Sequence, residues 1–348
     1  MAQRIIFTNE VQDAVSALIH EMNPSRVFVV ADENTARVVV PQMNVEHDKL
    51  IVVSAGDENK NLESAQIIWD ALQTNGATRH SLVINVGGGM VTDLGGFAAA
   101  TFKRGLQFVN VPTTLLGAVD ASGGGKTGIN YHSLKNEIGV FAPAHAVVIS
   151  SRFFATLPHR EFLSGYAEMI KHALLDSEAH LHELLTYPVQ DMDAEKMLEM
   201  LRKSVHIKEQ IVMQDPEEKG LRKALNLGHT VGHAFESLAL RRNNPVPHGY
   251  AVACGLVTEL VLSHMLMKFP SGILQQTATF VLENYGAFPI TCKDYDTLLS
   301  LMAHDKKSLS GEINCTLLAD CGNYKTDVSI SPEDMKAALD IYCDLLHL

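Results

Sequence analysis

Up to about residue 150 the chain alternates short apolar, largely β-branched runs with amphipathic stretches, and no other feature restricts its fold as strongly. The runs are Arg26-Val27-Phe28-Val29-Val30, Leu50-Ile51-Val52-Val53, Leu82-Val83-Ile84-Asn85-Val86, Phe108-Val109-Asn110-Val111 and Ala146-Val147-Val148-Ile149. They are continuous rather than alternating, which suits parallel strands buried on both faces. Between them, residues 61–75 place Leu62, Ala65, Ile68, Trp69 and Leu72 at three- and four-residue intervals, with Gly76 as a stop. The alternation predicts a doubly wound, Rossmann-like α/β domain over residues 1–152.

After Ser150 the pattern changes. Thr156-Leu157-Pro158 breaks the chain, and helical periodicity then runs on until Ile313-Asn314-Cys315-Thr316-Leu317-Leu318. The turn Asp320-Cys321-Gly322-Asn323 predicts one late β-hairpin, and Ser331 ahead of Pro332 caps a closing helix. Residues 153–348 are therefore expected to form a second, mainly α-helical domain, and a length of 348 residues is enough for two cores. No uninterrupted apolar run approaches the roughly 18 residues of a membrane span. The N-terminus lacks the apolar core of a secretory signal, so a cytoplasmic protein without a membrane partner is expected. Five cysteines, none in a C-x-x-C pair, fit reduced thiols. A net charge of -12 argues against a nucleic-acid partner.

The run 82–86 leads straight into Gly87-Gly88-Gly89 and a helix expected from about Val91-Thr92-Asp93. Glycines there let the backbone approach a pyrophosphate, and the helix start favours its negative charge. Asp32, the segment Gly56-Asp57-Glu58-Asn59-Lys60 and Pro112-Thr113-Thr114 follow other strands, at the sheet edge where nucleotides bind. Asp32 or Asp57 could accept ribose hydroxyls, which favours NAD; both are also ordinary turn formers. The second cluster, Asp120 to Gly128, ends in Gly125-Lys126-Thr127 but has Asp120 where a P-loop needs its first glycine. An ATPase is thereby excluded, and Lys126 is expected on a flexible loop facing an anion.

In Asn226-Leu227-Gly228-His229-Thr230-Val231-Gly232-His233, two histidines stand one helical turn apart. His248 begins another helix, and Glu168 lies in an apolar helical stretch where an unpaired carboxylate would be costly. One carboxylate and two imidazoles suit a zinc site with a position open for substrate. Spacing leaves open whether His229 or His233 is the ligand.

Together these segments resemble the 3-dehydroquinate synthases, NAD- and metal-dependent cyclases of the shikimate pathway. The resemblance spans nearly the whole chain and rests on ordered matches: Gly87 to Asp93, Arg104-Gly105, Pro112 to Leu116, Asp120 with Gly124 to Asn130, Lys135-Asn136, Glu168 with Lys171, Gly220-Leu221-Arg222, Asn226 to His233, His248-Gly249 and Asp305-Lys306-Lys307. It implies Glu168, His229 and His248 as ligands of Zn2+ or Co2+, with His233 on the substrate side. It implies NAD against Asp32, Asp57, Lys60, Gly88, Gly89, Asp93, Thr113, Thr114, Asp120, Lys126, Lys135 and Thr156. Lys126, Asn136, Lys171, Lys208, Arg222, Asn226, His233 and Lys306 are implied around a substrate carrying phosphate and carboxylate. Arg104 is implied to reach that phosphate from the partner subunit of a homodimer.

The implied substrate is 3-deoxy-arabino-heptulosonate 7-phosphate, oxidised transiently by NAD, relieved of phosphate, reduced again and closed by an internal aldol addition. The sequence departs from the family's usual pattern at Asp57, Ala121, Gly124, Tyr250 and Ser150-Ser151, none of them an implied metal ligand. Related cyclases acting on sugar phosphates without a carboxylate, metal-dependent polyol dehydrogenases, and a nucleotide- or metal-sensing binding protein, which explains neither the lysines nor Glu168, are the rival readings. Arg222, Asn226 and His233 favour an acid substrate over the first, and the lysine array is superfluous for the second.

Overall fold

The five apolar runs become strands of one sheet in the computed structural model, which describes residues 3–121, 125–132, 134–215, 218–303 and 313–348. In chain order the strands are β1 (Arg4–Phe7), β2 (Val27–Asp32), β3 (Lys49–Val53), β4 (Leu82–Gly87) and β5 (Gln107–Pro112), then β6 (Lys126–Tyr131), β7 (Leu134–Phe141) and β8 (Ala146–Ile149). Six of them pair in parallel in the order β1-β8-β5-β4-β2-β3. The central strands are buried nearly throughout, as continuous apolar runs require. Each fully buried Val or Ile there contributes roughly 1.5–3 kcal/mol. The four-residue edge strand β1 is too short to stand out in the sequence.

Strand order reverses between β2 and β4, so the carboxyl ends of these neighbours flank a topological switch point. Asp32 ends β2 and Gly87 ends β4, which sets an acidic residue and the glycine turn side by side.

Lys126 does not sit on a loop but opens β6, which pairs antiparallel with β7. Thr127 Oγ1 donates to Val140 O at 3.0 Å across this hairpin. The hairpin escaped the sequence reading because its glycines, Gly128 and Gly139, mimic turn signals. They are strand positions where the two backbones approach too closely for a Cβ: one at Gly139 would lie 2.3 Å from Thr127 O.

The chain divides into one unit of Met1–Pro158 with Met192–Val205 and another of His159–Asp191 with His206–Leu348. The second is mainly helical and ends in the antiparallel hairpin β9 (Ile313–Asp320) and β10 (Asn323–Ile330), then the helix Pro332–Leu345 with Ser331 as its cap. Its central helix, His248–Met267, has a mean hydropathy of 1.5 over its most apolar stretch, long and apolar enough to cross a membrane. In this fold 72% of that stretch is buried by neighbouring helices, so it is apolar on every side because it is surrounded.

Candidate active site

The glycine turn opens the helix Gly89–Thr101, capped by Gly88 without any side-chain hydrogen bond. As a glycine, the cap residue offers the first N–H groups of this helix no side-chain acceptor of its own, and a helix start of this kind can receive a phosphate. None of the three glycines has positive φ; what they provide is room. A Cβ at Gly87 would meet Val91 at 2.4 Å and one at Gly88 would meet Thr114 at 3.0 Å, whereas at Gly89 nothing lies within 4 Å. The open side of Gly89 is where a ligand can approach the backbone. Thr113 N donates to Gly87 O at 2.9 Å, and Thr114 Oγ1 accepts from Gly117 N at 3.0 Å, at the head of the π-helical turn that carries Asp120.

Beside this turn lies a charged group built around Lys60, which is 5% exposed. Its Nζ donates to Asp93 Oδ2 at 3.1 Å and Asn136 Oδ1 at 2.6 Å, and stands 3.7 Å from Asp57 Oδ1. Lys135 pairs with the other Asp57 oxygen at 3.4 Å. Burial pushes the Asp93 carboxyl above its ordinary range in spite of Lys60. Asn136, expected at the substrate, is thus bound into the expected nucleotide residues, in left-handed backbone (φ 56) with its N–H on Asn130 Oδ1.

Other expected nucleotide contacts serve their own backbone. Asp32 Oδ1 caps the helix Glu33–Val38 by accepting from Asn34 N and Thr35 N, each at 2.8 Å. Thr156 Oγ1 donates to Phe153 O at 2.8 Å, closing the 3-10 turn Ser151–Thr156. Arg104 is exposed at the end of another 3-10 turn, in left-handed backbone with φ 69.

In the second unit, Glu168 sits midway along the helix His159–Leu174, whose residues from Phe162 onward are all buried. His229 opens the helix His229–Arg241 and His248 opens His248–Met267. His229 Nε2 stands 3.4 Å and His248 Nε2 3.6 Å from Glu168 Oε1. That oxygen is fully buried and makes no hydrogen bond among the described residues. The ligand atoms of the three residues lie within 4.8 Å of one another, as a shared cation requires. His233 lies beside the group, its ring 5.3 Å from that of His229 and 5.9 Å from that of His248.

Each imidazole is aimed by its other nitrogen. His229 Nδ1 bonds Leu227 O at 3.1 Å and His248 Nδ1 meets Glu236 Oε2 at 3.3 Å, so both turn Nε2 toward Glu168. Lys171 donates to the second Glu168 oxygen. Burial raises the Glu168 carboxyl, but Lys171 and the imidazoles outweigh it and hold it well below the carboxylate range. Burial and the Lys171 ammonium lower His229 to about 4, so it is neutral. Burial opposes charge on His248 too, yet Glu168 and Glu236 raise it to about 10. Two imidazole nitrogens and a carboxylate oxygen converge without a hydrogen bond to that oxygen among the described residues, a donor set whose chemistry suits a divalent cation.

Arg222 and Asn226 lie at the two ends of one 3-10 turn, where Asp215 Oδ2 accepts Gly220 N at 2.7 Å and Arg222 N at 3.0 Å. Asn226 Nδ2 reaches Glu218 Oε1 at 3.5 Å, and Lys208 is half-buried on the helix Ala194–Gln214. Lys306 lies outside the described residues. The sequence reading missed Glu236, although it falls on the same helical stripe as His229 and His233.

Family models described as 3-dehydroquinate synthase N-terminal and C-terminal match residues 50–164 and 165–308. A 3-dehydroquinate synthase of Parabacteroides distasonis is 43% identical over 344 residues, covering 98% of each chain. Among solved structures, a 2-epi-5-epi-valiolone synthase of Streptomyces hygroscopicus with NAD+ and Zn2+ bound aligns with a TM-score of 0.79 at 24% identity, covering 99% of this chain and 97% of that one. A 2-deoxy-scyllo-inosose synthase complexed with carbaglucose-6-phosphate, NAD+ and Co2+ aligns with a TM-score of 0.79 at 22% identity, covering 96% and 95%. At these identities the two structures speak for the fold alone.

Proposed function

Because this chain belongs to the 3-dehydroquinate synthase family, we propose that it converts 3-deoxy-D-arabino-heptulosonate 7-phosphate to 3-dehydroquinate and phosphate, using NAD and a divalent zinc or cobalt ion. The observation that carries the assignment is the convergence of His229 and His248 on Oε1 of Glu168, a buried oxygen without a hydrogen bond among the described residues. These three residues would hold the metal. Bound there, a divalent ion supplies Lewis acidity to a substrate hydroxyl, and NAD supplies a hydride acceptor that is restored at each turnover.

The chain's own groups do the rest. Lys171, buried and paired with Glu168, keeps that carboxylate ionised and fixes its direction. Arg222, Asn226, Lys208 and His233, with Lys126 and Lys306, are assigned to the carboxylate and phosphate of the substrate. Cations held in place before the substrate arrives stabilise developing negative charge without reorganising. For NAD, the assignment is supported most by Gly88 and Gly89, where the helix start lacks a side-chain cap and Gly89 is open. Lys60, Asp93, Asp57 and Lys135 form the charged wall beside it. We assign Asp32, Thr113, Thr114, Asp120 and Thr156 to the same cofactor. Asn136 belongs with either group through its bond to Lys60. We further infer a cytoplasmic homodimer in which exposed Arg104 reaches the partner's substrate.

The test is one assay on purified protein with NAD, zinc or cobalt and the heptulosonate phosphate, following released phosphate and the absorbance of reduced NAD together. Phosphate release without accumulating reduced cofactor is expected. Accumulating reduced NAD would indicate a dehydrogenase, and turnover only of sedoheptulose 7-phosphate would indicate a different cyclase. Size-exclusion chromatography with light scattering tests the dimer.

A further inference from the structure

Glu259 is the one carboxylate in the most apolar part of the helix His248–Met267, and it is fully buried. Its two oxygens point at the start of another helix. Oε2 accepts Gly228 N at 2.7 Å and Oε1 accepts Val231 N at 3.2 Å, with the Thr230 N–H beside them. Gly228 is the cap position of the helix His229–Arg241 and has no side chain of its own to satisfy those donors. It stands in left-handed backbone with φ +77, and a Cβ there would lie 2.6 Å from Leu256. A Ser, Asp or Asn cap there would have to displace Leu256, and in this fold the acceptor comes from the neighbouring helix.

The neighbour can supply it because the two helices touch backbone to backbone. A Cβ at Gly255 would lie 2.2 Å from Gly228 O, and one at Gly232 would lie 3.1 Å from Ala251 O. Glu259 thus ties the first turn of the helix that begins at His229 to the helix that begins at His248.

We propose that Glu259 is a positioning residue for the metal site: by capping the helix His229–Arg241 from outside, it fixes where His229 stands relative to His248 and Glu168. This rests on the assignment of those three residues as metal ligands. Glutamine at position 259 keeps one acceptor but turns an NH2 group toward a backbone N–H, so the first turn must shift. The shift moves His229 while leaving every ligand in the chain.

The test compares wild type, Glu259→Gln, Glu259→Asp and His229→Ala, each loaded with Co2+. Metal affinity is read by chelator competition, the visible spectrum is recorded at saturating Co2+, and cooperative unfolding is checked by circular dichroism. Wild type is expected to bind one Co2+ and His229→Ala to lose it. Folded Glu259→Gln is expected to bind about 10- to 100-fold more weakly, the range found when an outer partner of a metal ligand is removed. Its spectrum at saturation is expected to differ from wild type, which a purely structural role would leave unchanged. Wild-type affinity and spectrum in folded Glu259→Gln would overturn the proposal and leave the metal assignment standing. If Glu259→Gln does not fold, Glu259→Asp is read in the same way. If neither folds, the carboxylate serves the core rather than the site, and the proposal is wrong. Unaltered Co2+ binding by His229→Ala would overturn the metal assignment, and this proposal with it.

Discussion

Gly249 rests directly on Ser164: its N–H donates to Ser164 Oγ at 3.0 Å, and a Cβ on it would lie 1.9 Å from Ser164 O. This contact sets the first turn of the helix His248–Met267 against the helix that carries Glu168 four residues further on. Ser164 O is backbone and cannot swing away. Gly249→Ala should force the helices apart, costing about 3 kcal/mol, the upper end of typical overpacking penalties. It should also weaken metal binding at least tenfold. Urea unfolding and Co2+ titration on the same variant check both; an alanine protein with wild-type metal affinity would separate the contact from the site.

Glu236 should matter only through His248. Glu236→Gln keeps the shape of the side chain but replaces a charged partner of His248 Nδ1 with a neutral one. Metal affinity is expected to fall about 10- to 100-fold with little change in unfolding temperature. Chelator competition measures the first and calorimetry the second.

Lys60→Ala removes the cation from Asp93 and the donor from Asn136. A loss of about 1.5–3 kcal/mol in stability is expected, as for a hydrogen bond to a charged group. NAD should bind about tenfold more weakly, or roughly 1.4 kcal/mol. Trp69 is a built-in reporter, since its Nε1 donates to Ala98 O of the helix that starts at the glycine turn. Its fluorescence in a NAD titration supplies the measurement.

Asp294 gives a pH signature away from the site. Burial raises its carboxyl, but the Thr291 N–H at 2.8 Å and the Arg242 guanidinium at 2.6 Å overcome this and hold it below the ordinary carboxylate range. A depressed carboxyl stabilises the fold above its unfolded pKa of about 3.9, and that contribution is lost as pH falls through the lower folded value. Asp294→Asn should therefore melt earlier than wild type at pH 6, with the difference shrinking as pH falls below about 3.9. An undiminished difference in melting temperature at pH 2 would show that the carboxylate charge is not its origin.

The parallel sheet was legible because its signal is local. Buried strands need continuous apolar residues, and the runs ending at Asp32 and Gly87 carry them in plain view. Glu168 was legible for a related reason, since a carboxylate among apolar helical residues needs a partner. Edge strand β1 was too short to show, and the hairpin β6–β7 was hidden by glycines that belong to close backbone contact rather than to turns.

Residue order alone thus determined the alternating elements of the first unit, the helical character of the second and the residue types able to bind a cation. Periodicity reports which residues share a face, and it carries no information about which faces meet. Spacing left His229 and His233 open and the resemblance pointed to His229; the tertiary structure sets His229 beside His248 and Glu168, and it alone decided that Glu236 aims His248 and that Glu259 caps a helix it does not belong to. Those outcomes depend on helix crossings set by Gly228, Gly232, Gly249 and Gly255, where a missing methyl group matters only once a second backbone arrives to fill the space.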